Sequence, residues 1–400
     1  EARAEVREIA SGEVHVLQQG GFFPRYFDGH VGFVQDGVLT VMGFDVETLT
    51  ITSPPVPVVP DVYQAVGNGG AQYSVSDNGT LLYLPGLGAN SLEFEMKWAG
   101  ENVPPNTLVG PGEIFHPRFS PDGERIAYTA GLGTESDVWI YDVARGQSTR
   151  LTLDSRAKDR SSVWSPDGKS IAFASNRGGG AMRLYRKPVD GSGEAVRLTE
   201  SDHDQYPTSW SSDGRMLLFM QATTDRSFDT FLLRLDDDGL PVGEPEVLVS
   251  SLQQDVHAVF SPDDRFVAYV SNESGTATLY VRSLDGTARW QISGDAGWGP
   301  RWVDSGRLYF HAWKGNGWQG EGAIRSVDFT VQDGVPVPGR PKDVLVLPLD
   351  VIQLTSAMFD IHPKDERVLV LSSTAEITVD HPNPILIQDW VEGLADRARP

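Results

Sequence analysis

Few side chains in this sequence could do chemistry together, and those that could stand at the starts of short apolar stretches spread along the chain. They are His116, Asp204 with Tyr206, Asp255 with His257, and Trp298. Carboxylates and imidazoles brought from several strands to one mouth could ligate a divalent cation. The alternative is that they line a water-filled funnel, each bonded to neighbouring backbone. No H-x-x-x-H or H-E-x-x-H spacing favours the cation, so the expectation is the funnel, with no metal and no cofactor. Ser201-Asp202-His203-Asp204 is the densest polar cluster with a histidine and reads as a solvated loop. Asp236-Asp237-Asp238-Gly239 lacks the alternating spacing and distal glutamate of a calcium loop and reads as a hairpin turn. Ser192, between Gly191 and Gly193, reads as a turn residue rather than a nucleophile. No G-x-S-x-G elbow occurs, and no catalytic residue is assigned.

A different kind of candidate lies at 313–322. Trp313, Lys314, Trp318 and Gln319 sit among glycines, in the one segment that breaks the rhythm of the chain. Ordering such a stretch costs conformational entropy, and an exposed Trp is a favoured interface anchor. The alternative is that both indoles fold back on their own sheet.

The elements that must position these residues come from a repeat. Pro117-Arg118-Phe119-Ser120-Pro121-Asp122-Gly123 is echoed by Ser162-Val163-Trp164-Ser165-Pro166-Asp167-Gly168, 45 residues later. Each copy is a strand, a turn in which Pro presets φ and Gly takes the left-handed position, and a second strand. Repetition at this period, with four strands per unit, means propeller blades. Turn residues at 28, 77, 122, 167, 213, 263, 304 and 365 predict eight blades, with seven or six as alternatives. The expected fold is all-β: one closed β-propeller over 1–400 whose N- and C-terminal strands share the last blade. Residues 1–18 would supply that blade's outer strands, 19–350 seven consecutive blades, and 351–400 the inner strands of the closing blade plus a short C-terminal helix. Trp139, Trp164, Trp210 and Trp302 recur in the repeats and read as inter-blade core.

Composition narrows function. A net charge of −22 leaves no basic surface to compensate phosphates, so nucleic acid is excluded as a partner. Without cysteine there is neither a disulfide framework nor a thiolate metal site. No apolar run is long enough for a transmembrane helix. A first residue other than Met reads as a processed or truncated product, on which a removed leader or anchor would be invisible.

The units at 115–128, 160–173, 206–219 and 257–270 resemble TolB-type, WD-like propeller repeats. Gly43-Phe44-Asp45, Pro54-Pro55-Val56-Pro57-Val58, Ser271-Asn272-Glu273-Ser274-Gly275 and Gln388-Asp389-Trp390-Val391-Glu392-Gly393-Leu394 are similar to the extracytoplasmic propeller regions of bacterial membrane-bound Ser/Thr kinases. The kinase's own glycine-rich loop, His-Arg-Asp and Asp-Phe-Gly do not occur in these residues. The resemblance implies the periplasm or cell surface and the binding of a protein or small ligand. The expectation is a non-catalytic interaction module with a protein partner, membrane-associated. A ligand-sensing domain of a membrane kinase, and a metal-dependent hydrolase or lyase with its site in the central channel, are the alternatives.

Overall fold

The computed structural model describes residues 3–9, 11–35, 37–63, 70–85, 93–100, 106–131, 135–154, 157–223, 227–294, 296–304, 306–314, 321–332, 335–347, 358–373 and 383–394. The named strands among these residues pair antiparallel throughout, joined by turns and short connections. The chain divides into two compact units, 1–92 with 377–400, and 93–376.

The unit 93–376 is a propeller whose described residues form six sheets. Blades 1 to 4 each run inner to outer in chain order, with innermost strands Ile114–Phe119, Asp159–Trp164, Gln205–Trp210 and Asp255–Phe260. Blade 5 starts at Ala296–Asp304, and its long strand Glu321–Gln332 pairs with both Val335–Pro338 and Lys342–Leu347. Blade 6 takes its inner strands Phe359–Ile361 and Val368–Ser373 from the end of the unit. Its outer strands, Phe94–Ala99 and Thr107–Gly112, come from the beginning. Each innermost strand touches the next, and that of blade 6 touches that of blade 1, so the ring closes on six.

This corrects the expected closure. Residues 3–7 and 14–19 pair with each other in a two-stranded sheet of the other unit. The partner of Val368–Ser373 is Phe94–Ala99, in unbroken register from Phe94↔Ser373 to Ala99↔Val368. Phe94, Met96 and Trp98 are buried while Glu95 and Lys97 are half-exposed, an alternation that fits a strand with one face on a core. Two of the eight predicted turns, near Asp28 and Asp77, belong to the unit 1–92 with 377–400. That unit holds a five-stranded sheet over 22–59 and a sheet in which Ile385–Ile387 joins Leu81–Tyr83 and Tyr73–Val75. Residues 388–393 form a run of turns, with Trp390 buried against Phe27 of the same unit; Leu394 is helical, and the rest of the expected C-terminal helix lies outside the described residues.

The repeated turn explains the regular strand ends. Ser120 Oγ donates to Asp122 Oδ1 (2.5 Å) and accepts from the Arg125 N–H (3.0 Å), while Gly123 adopts φ 74°. Ser165, Ser211 and Ser261 make the same pair of bonds. In blade 4 the glycine's place is taken by Asp264 at φ 55°, whose carboxylate accepts the N–H and hydroxyl of Ser212 in blade 3. Between blades, apolar residues on facing sheets interdigitate. Leu217, Phe219 and Leu233 of blade 3 pack on Ala172 and Leu184 of blade 2. Trp164, Trp210 and Trp302 lie in or against such clusters, whereas Trp139 is half-buried opposite Arg150 on an outer strand pair.

Two consequences are measurable. Phe94 is fully buried at the closing blade, so Phe94→Ala should cost about 3–5 kcal/mol in urea unfolding of the unit; a cost below about 1 kcal/mol would show that the pairing does not hold the ring. The Ser211 hydroxyl and the Arg215 N–H hold the Asp213 carboxyl below its ordinary value, against a small opposing effect of burial. Burial raises Asp122, Asp167 and Asp263, but their serine and backbone bonds outweigh it. A depressed folded value means stability that is present above about pH 4 and lost as pH falls through that lower value. Asp213→Asn should therefore flatten the acid limb of melting temperature against pH, and an unchanged limb would refute the assignment.

Candidate functional site

The innermost strands of the unit 93–376 converge on its central channel. In four of them the ladder slips by a bulge, between Phe115 and Arg118, Arg160 and Val163, Val256 and Val259, and Trp298 and Arg301. The extra residue takes a left-handed backbone in each: His116 (φ 55°), Ser161 (55°), His257 (57°) and Gly299 (58°). A bulge re-aims the side chains around it. Blade 3 has Pro207 at this place, whose ring fixes φ negative, and there the slip is confined to Pro207/Ser209.

Past the bulge, just before the last apolar residue of each inner strand, the six blades present Arg118, Val163, Ser209, Val259, Arg301 and Asp360. The three charged ones fall on adjoining blades 5, 6 and 1. Asp360, between the two arginines, accepts the Phe119 N–H at Oδ2 (2.7 Å) and lies 3.2 Å from Arg301 Nε at Oδ1. Both arginines follow a proline and fold back on it. Arg118 Nη1 donates to the Pro117 carbonyl and Arg301 Nη1 to the Pro300 carbonyl, each at 2.6 Å. Arg118, Arg301, His116, His257, Ser161, Ser162 and Thr208 share one small hollow with Val163, Pro207, Met220 and Val259.

The hollow is electrostatically unusual for so acidic a chain. Burial pushes the Arg118 guanidinium down to about 9, helped by the charge of Arg301 and opposed by Asp360. Arg301 is lowered by burial in the same way, against the pull of Asp360. Burial, with the positive charges of Arg118 and Arg160, brings His116 down to about 3. His257 falls to about 3 through burial and the charges of Arg301 and Arg118. Both imidazoles are therefore neutral near pH 7.

Of the residues expected at the mouth, the structure brings His116 and His257 to this hollow, with the Trp298 ring edge-on to His257 at 6.2 Å. The others do not join them in lining it. Asp204 accepts the Met182 N–H (2.7 Å), an anchoring role between strands. Tyr206 packs its ring 6.1 Å from Phe228, and burial raises its hydroxyl to about 12. Asp255 is buried at the head of its strand. Arg118 and Arg301 are absent from the residues expected at the site, although the sequence carries a signal for them: Pro117-Arg118-Phe119 and Pro300-Arg301-Trp302 are the same three-residue phrase in two repeats. Trp313 and Lys314 end the strand Arg307–Lys314, and Trp318 and Gln319 lie outside the described residues.

Among the described residues no three His, Asp or Glu side chains are grouped to hold a metal ion. No helix among them is long and apolar enough to cross a membrane, which says nothing of strands. An unfolded imidazole takes its proton near pH 6.5 and folded His116 only near 3, so falling pH favours the unfolded chain between these values. His116→Asn, which tolerates the left-handed backbone, should lessen the fall in melting temperature from about pH 6.5 to about 4.5. An equal fall in the variant would mean that His116 is not held neutral.

Comparison with known proteins agrees with this architecture. Over 111 residues the chain is 35% identical to a protein of Bacillus subtilis named uncharacterized peptidase YuxL, covering 26% of this chain and 17% of that one. Over 126 residues it is 32% identical to uncharacterized protein Atu1656 of Agrobacterium fabrum, covering 30% of this chain and 42% of that one. The chain thus spans less than half the length of these curated relatives. A solved structure from Agrobacterium tumefaciens, described as a TolB candidate, superposes with a TM-score of 0.57 at 17% identity, over 72% of this chain and all of that one. Residues 108–306 match the model of the TolB beta propeller domain, and this segment, blades 1 to 4 with the start of blade 5, belongs to that family.

Proposed function

We propose that this chain is an extracytoplasmic, non-catalytic propeller that docks a protein partner, one associated with a membrane complex. The observation that carries the reading lies on the face where each outer strand passes to the next inner strand. The connections there hold out large apolar side chains: Leu153 is 74% exposed and Leu252 is 93% exposed. Both lie on connections from an outer strand to the next inner strand, with the polar Ser201-Asp202-His203 connection between them in blade order. Isolated exposed leucines are ordinary, but two on equivalent connections, either side of a polar one, offer a pair of apolar anchors in a polar surround, which suits an interface. The segment with Trp313, Lys314, Trp318 and Gln319 is proposed as a second contact. The likeness to extracytoplasmic propellers supports the compartment.

The peptidase name belongs to a relative of which the match covers 17%. Peptide hydrolysis by covalent catalysis would need a nucleophile with an activating base, and the two channel imidazoles lie too low to serve as that base near pH 7. An interaction surface accounts for the rim without any such group.

The test is capture from the detergent-solubilised membrane fraction of the source cells. The folded chain should retain a defined partner, and Leu153→Asp with Leu252→Asp should weaken retention by about tenfold or more while leaving the melting temperature within a few degrees. Retention equal to that of the parent chain would remove the rim from the interface.

A further inference from the structure

We propose that the central channel of the unit 93–376 holds a binding site for an organic carboxylate, its anionic end on Arg118 and Arg301 and its apolar body against Val163, Pro207, Met220 and Val259. This goes beyond the docking reading and does not depend on it.

The argument begins from charge balance. Two guanidinium groups line the hollow, and the carboxylate that faces them, Asp360, is already engaged by the Phe119 N–H and by Arg301 Nε. Arg160 lies outside the lining; its charge is felt by His116, and at Tyr206 it is opposed by the stronger effect of Asp204. Buried guanidinium groups are normally paired, because removing a charge from water without a counter-charge is costly. Among the described residues the lining itself carries two guanidinium groups and no carboxylate, and Asp360 beside it balances one of them. The two neutral imidazoles neither add to this excess nor offset it.

Unused donors give a second observation. Arg301 is only 8% exposed, and its Nη2 lacks a hydrogen-bond partner. Ser162 Oγ, Thr208 Oγ1 and His116 Nδ1 on the same lining are also buried without one. Such groups are ordinarily satisfied, and a run of them on one lining suits a ligand rich in acceptors. Arginine presents a planar fork that matches a carboxylate with two parallel bonds. The Nη1 bonds to Pro117 and Pro300 fix both forks before any ligand arrives, so less ordering is left for binding to supply. Adjacent apolar walls distinguish this hollow from a site for a bare inorganic anion.

The experiment is calorimetric titration of the full chain with butyrate, butyramide and inorganic phosphate, supported by thermal shift. Butyrate should bind and raise the melting temperature, while butyramide, of like shape without charge, should do neither. Arg118→Gln leaves Arg301 beside Asp360 and should weaken butyrate at least about tenfold. If Arg118→Gln fails to fold, Thr208→Val, which removes an unpartnered hydroxyl from the lining at a half-buried position, should still weaken binding several-fold. Equal binding of butyramide, phosphate binding without preference for butyrate, no butyrate binding at all, or folded variants that bind as the parent does would each overturn the proposal.

Discussion

The antiparallel pairing of Phe94–Ala99 with Val368–Ser373 holds the larger unit in its shape. It joins the two ends of a 93–376 segment and leaves no sheet of the ring without a neighbour on either side. The entropic cost of closing so long a loop rises only as the logarithm of its length. One well-packed strand pair with Phe94 and Met96 buried can offset it. Closure also removes the open sides at which a blade stack would pair with another chain. Six sheets then leave a narrow middle, and narrowness is what makes side chains from Arg118, Arg301 and Asp360 neighbours.

The same residues join the blades and furnish the channel. Asp360 of blade 6 accepts the Phe119 N–H of blade 1, and Ser209 of blade 3 accepts the Phe260 N–H of blade 4 from the equivalent position. Trp164 Nε1 donates to the Arg118 carbonyl, and the Arg125 guanidinium lies 4.7 Å from the Trp164 ring while bonding Gly168 O. A neutral hydroxyl suffices for the blade 3–4 link. At the blade 6–1 link a full negative charge stands instead, and buried charge is tolerated only beside its opposite. The two arginines flanking Asp360 are thus required by the ring's own bonding. That they exceed what one carboxylate can balance is a feature of the channel rather than of the joint.

Legibility in the sequence follows the range of the interaction. The Ser-Pro-Asp-Gly turns are local: a hydroxyl, a carboxylate and a left-handed glycine within six residues set them, so the turns of the larger unit can be read from the residue types alone. Closure is not local. Residues 3–7 and 14–19 have the alternation of outer strands, and so do 94–99; nothing within either stretch says which one finds Val368–Ser373. The C-terminal residues mislead for the same reason, since the burial of Trp390 against Phe27 depends on a partner more than 350 positions away. His116 and His257 stand out because imidazoles at strand starts are chemistry-bearing residue types. Arg118 and Arg301 do not, because an arginine in a strand of an acidic protein reads as surface, and only the bulge turns these two inward.

What the channel can do follows from where its groups titrate. Proton transfer is efficient when the acid or base titrates near the working pH. His116 and His257 lie near 3 and Arg118 near 9, so at neutral pH the imidazoles stay unprotonated and the guanidinium charged through any binding event. Fixed charge with fixed geometry suits recognition: it lowers the energy of a bound anion without offering it a proton or a nucleophile. The surrounding surface, with a net charge of −22 over the chain, repels anions at long range. That repulsion fades over about 8–10 Å at physiological salt, whereas the arginines act inside a region that excludes most water. A ligand that reaches them must therefore be held by close contact rather than drawn in from afar. Small size and an apolar body, which carry it past the rim without an electrostatic lure, are the properties this channel selects.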